Sequence, residues 1–279
     1  MFYLLLAIIS SALISIFMRA SENKITNKMG MFAANYAACC LLSLFYLKEE
    51  SIIPEGDGLA PVLILGGISG ILYLVNFIFL KYNMQYNGIV LSSTFMKLGV
   101  LIPTIMAVIC FGEKPGAAQV IGIAIAVVAI IVFNFEKDAV KDGERKHLLI
   151  LLLLLSGFTD SMAKIFEQAG NTQGSDAYLL VTFLAAFIIA MVMALRNKTR
   201  ISVEDVKYGL LIGIPNYYSA RFLLQSLQSV DAVLVYPLYS VVTIIVVTIA
   251  GVFLFHEKLS GQKAKALVLV LVAVCLLNM

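Results

Sequence analysis

The feature that most constrains this chain is a series of long apolar stretches without charge. Residues 2–18 and 29–47, for example, contain no charged residue, and about 17 such residues are enough to cross the hydrocarbon core of a bilayer. Hydrophobic residues make up 61% of the 279 residues and charged residues only 13%, whereas globular chains are about 45–50% apolar and about 25% charged. The pattern predicts an all-α membrane protein that crosses a lipid bilayer several times.

Ten such stretches predict ten transmembrane helices. The first stretch lacks a basic leader region and a small-residue cleavage site, so we expect it to be retained as a helix. The hydrophilic segment 136–146 divides the chain into two sets of five predicted helices. The ten stretches are residues 2–18, 29–47, 60–80, 88–111, 117–135, 147–168, 177–195, 208–227, 232–255 and 264–279.

A short signature recurs at almost half the chain length. Phe-Gly-Glu-Lys at 111–114 is followed 144 positions later by Phe-His-Glu-Lys at 255–258. Other polar and small residues recur at nearly the same offset, which is a pattern that apolar sequence rarely produces by chance. These recurrences are Gly66 and Gly70 with Gly209 and Gly213, and Ser11, Ser15 and Arg19 with Ser156, Asp160 and Lys164.

The recurrences indicate a duplicated unit. We predict a first five-helix repeat over residues 1–135, a hydrophilic linker over 136–146 and a second five-helix repeat over 147–279. Because each repeat has an odd number of helices, the two repeats must be inverted relative to each other, as in many secondary transporters. We expect the repeated signature to cap a helix end and set a tight turn, and not to carry the chemistry.

Lysine and arginine are distributed unevenly between the loops. Fifteen of the 20 lie in loops that follow odd-numbered helices, two lie in even loops, and three lie within the spans. Basic loops tend to stay in the cytoplasm. We therefore predict a multi-pass protein of the cytoplasmic membrane with the odd-numbered loops in the cytoplasm and both termini outside.

The repeated motifs resemble those of a known family, the ten-helix drug/metabolite transporters with two EamA-type repeats. The resemblance covers nearly the whole chain, and it departs from the family pattern at His256, where glycine is usual, and at Pro237, which lies nearer the start of its helix. The residues that carry it are Pro103, the 111–114 signature, Gln119 and Gly122 in the first repeat, and Tyr236-Pro237-Leu238, the 255–258 signature and Gln262 in the second.

The resemblance implies a membrane transporter in which two inverted repeats surround a central cavity lined by helices 1, 3, 4, 6, 8 and 9. Family members are often drawn with both ends in the cytoplasm. The charge distribution of this chain indicates the opposite, so either its orientation is reversed or the charge count misleads.

We single out four ionisable side chains at membrane depth, where each costs about 2.5–3.5 kcal/mol to insert and therefore faces a cavity or a partner. Asp160 and Lys164 lie one turn apart on helix 6 and can pair. One interpretation is that they neutralise each other and lower the insertion cost. The other is that Asp160 takes up and releases a proton as a coupling group, with Lys164 holding it charged until the two are separated.

Lys97 and Arg221 have no carboxylate nearby on their own helices. Two unpaired cations facing one cavity favour a substrate with an anionic group, because arginine offers a planar fork to carboxylate or phosphate. The alternative is that either side chain reaches the membrane interface or meets backbone carbonyls at a helix end.

Polar side chains offer the rest of a binding site. Tyr73 and Asn76 lie one turn apart on helix 3, Tyr218 lies on helix 8, and Tyr236 and Ser240 lie one turn apart on helix 9. We predict that they line the cavity. Tyrosine in a membrane span is also typical of the interface belt, which is the alternative for these positions.

The sequence contains no recognisable ATP site, no metal-ligand cluster and no pairing of a nucleophile with a base. A net charge of +3 is too small to indicate a nucleic-acid partner, and the four cysteines lie within apolar stretches without metal-ligand spacing. We therefore expect no cofactor, no metal and no enzymatic activity.

The sequence thus favours a secondary transporter of a small polar metabolite, such as an amino acid or an organic or phosphorylated acid, working by alternating access. Protons are the candidate coupling ion, and a homodimer is an alternative to a monomer. The rival functions are a proton-coupled exporter of drugs or toxic compounds, a membrane-embedded enzyme and an accessory membrane subunit.

Overall fold

The computed structural model describes residues 1–21, 24–47, 59–87, 95–96, 99–134, 146–169, 174–197, 199–255 and 261–277. The residues in these ranges form helices and turns, and none of them lies in a strand. The helices, numbered in chain order, are α1 (Phe2–Ser21), α2 (Lys28–Tyr46), α3 (Leu59–Asn87), α4 (Leu101–Ile109), α5 (Ala117–Asn134), α6 (Lys146–Ala169), α7 (Ser175–Arg196), α8 (Val203–Leu227), α9 (Ala232–Phe255) and α10 (Gly261–Leu277).

Each described helix falls on one of the ten predicted spans, which confirms the all-α fold. Within the described segments, four helical stretches are long and apolar enough to cross a membrane by length and composition alone: Lys28–Tyr46, Leu59–Leu80, His147–Ala169 and Ser175–Arg196. Shorter apolar helices cover Phe2–Met18, Ala117–Ala129 and Ala232–Val247. Ten membrane crossings stay a prediction.

Two helices extend five or more residues beyond one end of the predicted span. α3 continues from the predicted end at residue 80 to Asn87, because the polar residues 81–87 include neither proline nor glycine and so do not stop a helix. α8 begins at Val203, five residues before the predicted start, behind a capping box. In this box the Asp205 backbone N–H donates to Ser202 Oγ at 3.1 Å, and the Ser202 N–H donates to Asp205 Oδ2 at 2.7 Å. A Ser-x-x-Asp pattern is a sequence signal for a helix start, and the search for apolar residues missed it.

Two compact units make up the chain. The first unit contains Met1–Leu74 and Met162–Gln228, and the second contains Val75–Ser161 and Ser229–Met279. Each unit therefore combines segments from both predicted sequence repeats.

The first unit is built on close contacts at the predicted Gly-x-x-x-Gly pairs. α8 packs on α1 and α2, and a Cβ added at Gly209 or Gly213 would collide with backbone oxygen of α2, at Met31 and Asn35. Only glycine allows the two helix backbones to approach so closely. This contact fixes the face that α8 turns toward α2.

The other Gly-x-x-x-Gly pair makes a matching contact between α3 and α7. A Cβ at Gly66 would meet Val181, and one at Gly70 would meet the Thr182 backbone oxygen and Ala185. The α7 residues at this contact lie 147 positions after the α2 residues that meet Gly209 and Gly213, since Ala34, Asn35 and Ala38 correspond to Val181, Thr182 and Ala185. The same small-residue packing thus occurs twice within the first unit.

In the second unit, α5 packs on α10, and α9 packs on α4, α5 and α10. Glu113, in the turn between α4 and α5, accepts hydrogen bonds from the backbone N–H groups of Ala232 at 3.0 Å and Val233 at 2.8 Å. These are the first two residues of α9, so the carboxylate caps a helix start whose dipole favours negative charge. Gly112 beside it has φ of 68°, a conformation that glycine adopts without strain. The expected roles of the 111–114 signature, a helix cap and a tight turn, are confirmed.

Candidate functional site

Arg221 of α8 is the charged centre of the first unit. Its Nη1 forms an ion pair with Asp176 Oδ1 and a 2.9 Å hydrogen bond with the Tyr217 hydroxyl. The side chains of Arg221 and Asp176 are 17% and 8% exposed. The prediction that Arg221 has no carboxylate partner is therefore wrong. The partner is not on the helix of Arg221, because Asp176 lies in the first turn of α7, 45 residues earlier in the chain.

Aromatic rings enclose this ion pair. The guanidinium carbon of Arg221 lies 4.1 Å from the centroid of the Tyr46 ring, within the range of a cation–π contact. The Tyr46 hydroxyl lies 3.1 Å from the Tyr218 hydroxyl, and the Tyr46 ring stacks on the Tyr217 ring at 5.8 Å. We call these five residues, Tyr46, Asp176, Tyr217, Tyr218 and Arg221, the arginine cluster.

The arginine cluster offers both signs of charge at one place. A guanidinium can bind carboxylate or phosphate through paired N–H donors, and a carboxylate such as that of Asp176 can bind an ammonium group. Tyrosine hydroxyls can donate or accept. Tyr218 was predicted as a site residue and the structure places it here, whereas Tyr46 and Asp176 were not predicted. Both lie within two residues of the ends of predicted spans, and a search for polar residues at span ends would have found them.

Tyr73 extends the aromatic packing of the same unit. Its ring meets the Phe183 ring edge-on at 6.5 Å, and Phe183 lies 6.1 Å from the Tyr217 ring. Phe183 is fully buried. Tyr73 is therefore connected to the arginine cluster through one buried aromatic side chain.

Lys164 is buried near the end of α6. Its Nζ lies 2.8 Å from Glu167 Oε2, one turn further along the helix, and the side chains are 5% and 17% exposed. The sequence interpretation considered only Asp160 as the partner of Lys164. Glu167 is an additional carboxylate, and it lies within predicted span 147–168.

The second unit contains a set of neutral polar contacts. Ser156 Oγ donates to Asn76 Oδ1 at 2.9 Å, and the Tyr236 hydroxyl donates to the Asp160 backbone oxygen at 2.8 Å. Ser240, one turn after Tyr236, is 5% exposed. Asn76, Tyr236, Ser240 and Asp160, all predicted site residues, thus lie in one unit. Lys97, which was predicted with them, lies outside the described residues, as does the second signature at 255–258 beyond Phe255.

A second buried aspartate, which the sequence interpretation did not consider, lies at the opposite end of α8. The Asp205 carboxylate accepts the Thr26 N–H at 2.8 Å, the Thr26 hydroxyl at 3.0 Å and the Asn27 N–H at 3.2 Å, in addition to the Ser202 N–H. We call these four residues the aspartate clasp. Burial raises the pKa of the Asp205 carboxyl, but the hydrogen bonds from Ser202 and Thr26 outweigh burial and leave its pKa below the ordinary value.

Within the described segments, no group of three or more His, Cys, Asp or Glu side chains is arranged to hold a metal ion.

Comparison with known proteins gives three findings. The profile of the EamA-like transporter family matches residues 1–135 and again residues 147–279. An uncharacterized protein of Haemophilus influenzae is 22% identical over 268 residues, which cover 92% of this chain and 90% of that protein. A protein crystal structure shares the fold, with a TM-score of 0.74 over 99% of this chain and 98% of that one at 14% identity.

Proposed function

Since the chain belongs to the EamA-like transporter family, we propose that it is a secondary transporter that moves a small polar metabolite by alternating access. Family membership makes it an integral membrane protein that transports small molecules. The proposal adds the cytoplasmic membrane as location, the inverted-repeat architecture around a central cavity and the class of substrate. The matching packing of Gly66 and Gly70 with α7 and of Gly209 and Gly213 with α2 supports the inverted repeats.

The observation that carries the substrate class is the Arg221–Asp176 pair in an aromatic surround. A substrate carboxylate can replace Asp176 at the guanidinium only if the released aspartate finds another cation, because an unpaired buried charge costs several kcal/mol. A zwitterion supplies that cation itself. Its carboxylate then binds Arg221 and its ammonium binds Asp176, so every charge stays paired. Among metabolites with an anionic group, this favours amino acids over purely anionic organic or phosphorylated acids.

The other proposed contacts are assigned by unit. Tyr73 and Tyr218 belong with the arginine cluster, and Asn76, Tyr236 and Ser240 are proposed contacts in the second unit. Lys97 remains a proposed contact from the sequence. For coupling we retain Asp160 and Lys164 with protons as the candidate ion, to which Glu167 is added as a carboxylate that competes for the lysine.

Counterflow in proteoliposomes tests the proposal. Vesicles containing the purified protein are preloaded with one unlabelled compound and offered the same compound in labelled form. The panel comprises neutral amino acids, dicarboxylates, sugar phosphates and lipophilic cations. We expect exchange of amino acids that is faster than that of dicarboxylates, and a loss of about tenfold or more in Arg221→Gln, because a hydrogen bond between charged groups is worth about 1.5–3 kcal/mol.

Arg200→Gln is the matched control, because Arg200 is an exposed arginine in the loop before α8, and it should leave exchange unchanged. Selective exchange of lipophilic cations by the wild type would favour an exporter of toxic compounds. Equal exchange of dicarboxylates and amino acids that Arg221→Gln does not alter would remove the arginine cluster from the substrate site.

A further inference from the structure

The outward side of α8 bears an apolar groove with a volume of about 620 Å³. Its apolar lining is at least 37% exposed at every position, and Val203 is 82% exposed. None of the described helices covers this face. The lining residues of α8 are Val203, Val206, Lys207, Leu210, Leu211 and Ile214.

The six lining residues follow the helical repeat. Their spacing alternates between three and one residues, so all of them lie on one face of α8. From Val203 to Ile214 the helix rises roughly 17 Å, about half of the ~30 Å hydrocarbon core. The predicted span 208–227 begins within the groove, so Leu210, Leu211 and Ile214 belong to the span and Val203 precedes it.

The groove has a polar end and an apolar end. Ser202 and Lys207 lie at its polar end, and the Lys207 side chain is 57% exposed. Helical side chains lean toward the helix N-terminus, so the lysine reaches toward the start of α8 while its methylenes cover apolar surface. Val206, Leu210, Leu211 and Ile214 continue the groove away from this end.

The polar end carries more positive than negative charge. The ammonium groups of Lys24 and Lys207 lie 5.7 and 5.8 Å from the centroid of the Tyr208 ring, and Arg200 is exposed in the preceding loop. Glu204 lies 3.6 Å from Lys207, but an exposed pair of this kind is weak. The Asp205 carboxylate is held within the aspartate clasp. An anionic group placed here would meet Lys207, which lines the groove.

We propose that this groove binds one anionic phospholipid of the leaflet on the side of the α7–α8 loop. Its phosphate contacts Lys207, and one acyl chain lies along Leu210, Leu211 and Ile214 within the predicted span. The charge at one end and the apolar length behind it match a phospholipid in both respects. The proposal depends on the predicted membrane span 208–227 of α8 and does not depend on which substrate is transported.

Native mass spectrometry of the full-length protein in detergent tests this site. The protein is titrated with phosphatidylglycerol and with phosphatidylcholine that carry identical acyl chains. We expect the wild type to bind phosphatidylglycerol about fivefold more tightly, because a surface lysine adds about that factor for an anionic lipid. Lys207→Gln should abolish this preference, and Val206→Trp should weaken binding of both lipids by filling the groove.

Two controls separate the groove from general effects of charge and bulk. Lys28→Gln removes an exposed lysine at the start of α2 and should keep the preference, and Ile188→Trp adds bulk at a residue of α7 that is 53% exposed and should keep the affinity. The proposal is overturned if the wild type binds both lipids equally or if Lys207→Gln keeps the preference. It is also overturned if Val206→Trp binds as wild type, or if glycerol phosphate without acyl chains competes as well as the lipid.

Discussion

The two ends of α8 are each held by a buried aspartate, but the donors differ. At the N-terminal end, Asp205 accepts from backbone N–H groups and one hydroxyl of the α1–α2 turn and of its own capping box. Toward the other end, roughly 24 Å along the helix, Asp176 of α7 accepts from the guanidinium of Arg221. The residues Asp205 and Asp176 are 0% and 5% exposed.

This difference separates a fixed contact from an exchangeable one. Backbone N–H groups of a tight turn cannot turn away without breaking the turn, so the aspartate clasp holds the α1–α2 turn against the start of α8. A guanidinium on a long side chain can exchange one carboxylate for another at little cost in backbone structure. We infer that the clasp stabilises the first unit and that the arginine cluster meets the substrate.

Asp205→Ala should give the largest effect of these substitutions, and it should affect stability but not transport kinetics. Its removal leaves the N–H groups of Thr26, Asn27 and Ser202 without their acceptor, and each unsatisfied buried group costs about 1–3 kcal/mol. We expect the free energy of unfolding to fall by about 3 kcal/mol, measured as a lower midpoint of thermal unfolding in detergent. The KM for the exchanged amino acid should not change in the protein that remains folded.

Glu204→Gln is the matched control for this prediction, since Glu204 is the neighbouring carboxylate of the same turn and its side chain is 46% exposed. The midpoint of thermal unfolding of Glu204→Gln should equal that of the wild type within experimental error. If Asp205→Ala changed the KM strongly and the melting midpoint only slightly, the clasp would be a substrate contact and its assignment as a stabilising contact would be wrong.

Asp176→Asn should alter selectivity at the other end of the helix. The amide keeps the shape of the carboxylate but removes the charge that the substrate ammonium requires, so amino-acid affinity should fall by about tenfold. Arg221 then lacks its neutralising carboxylate, so affinity for dicarboxylates should rise. The measurement is competition of both compounds in counterflow, with Glu204→Gln again as control. An equal loss for both compounds would make the Arg221–Asp176 pair structural only.

The contrast between the two ends also shows what the sequence could predict. The long apolar stretches located every described helix, and the recurrence of Gly66 and Gly70 at Gly209 and Gly213 located two close helix contacts. These features are encoded locally and repeat in the chain. The partner of Arg221 is not local, because Asp176 comes from another helix, and only packing brings the two together.

The aspartate clasp was missed for a different reason. Its local half, Ser202-x-x-Asp205, is a recognisable capping box, but it lies outside the apolar span where functional residues were sought. Its other half consists of Thr26 and Asn27 in the α1–α2 turn. Asn27 lies 178 residues before Asp205 in the chain. The capping box marks the start of α8 in the sequence, five residues before the start that the apolar stretch predicted, and packing of α8 on α2 decides which turn its aspartate holds.

The smallest predicted effect is the pH dependence of the clasp. The folded-state pKa of Asp205 lies below its ordinary value, so its contribution to stability is fully present above the unfolded-state pKa of about 3.9. It is lost as pH falls through the folded-state pKa. The melting midpoint of the wild type should therefore drop more steeply than that of Asp205→Asn when pH is lowered from 5 to about 3. Because Asp205→Asn cannot titrate at this position, the difference between the two slopes isolates the clasp from the other carboxylates. Parallel slopes would mean that the clasp stabilises the protein through the shape of its hydrogen bonds and not through the charge of Asp205.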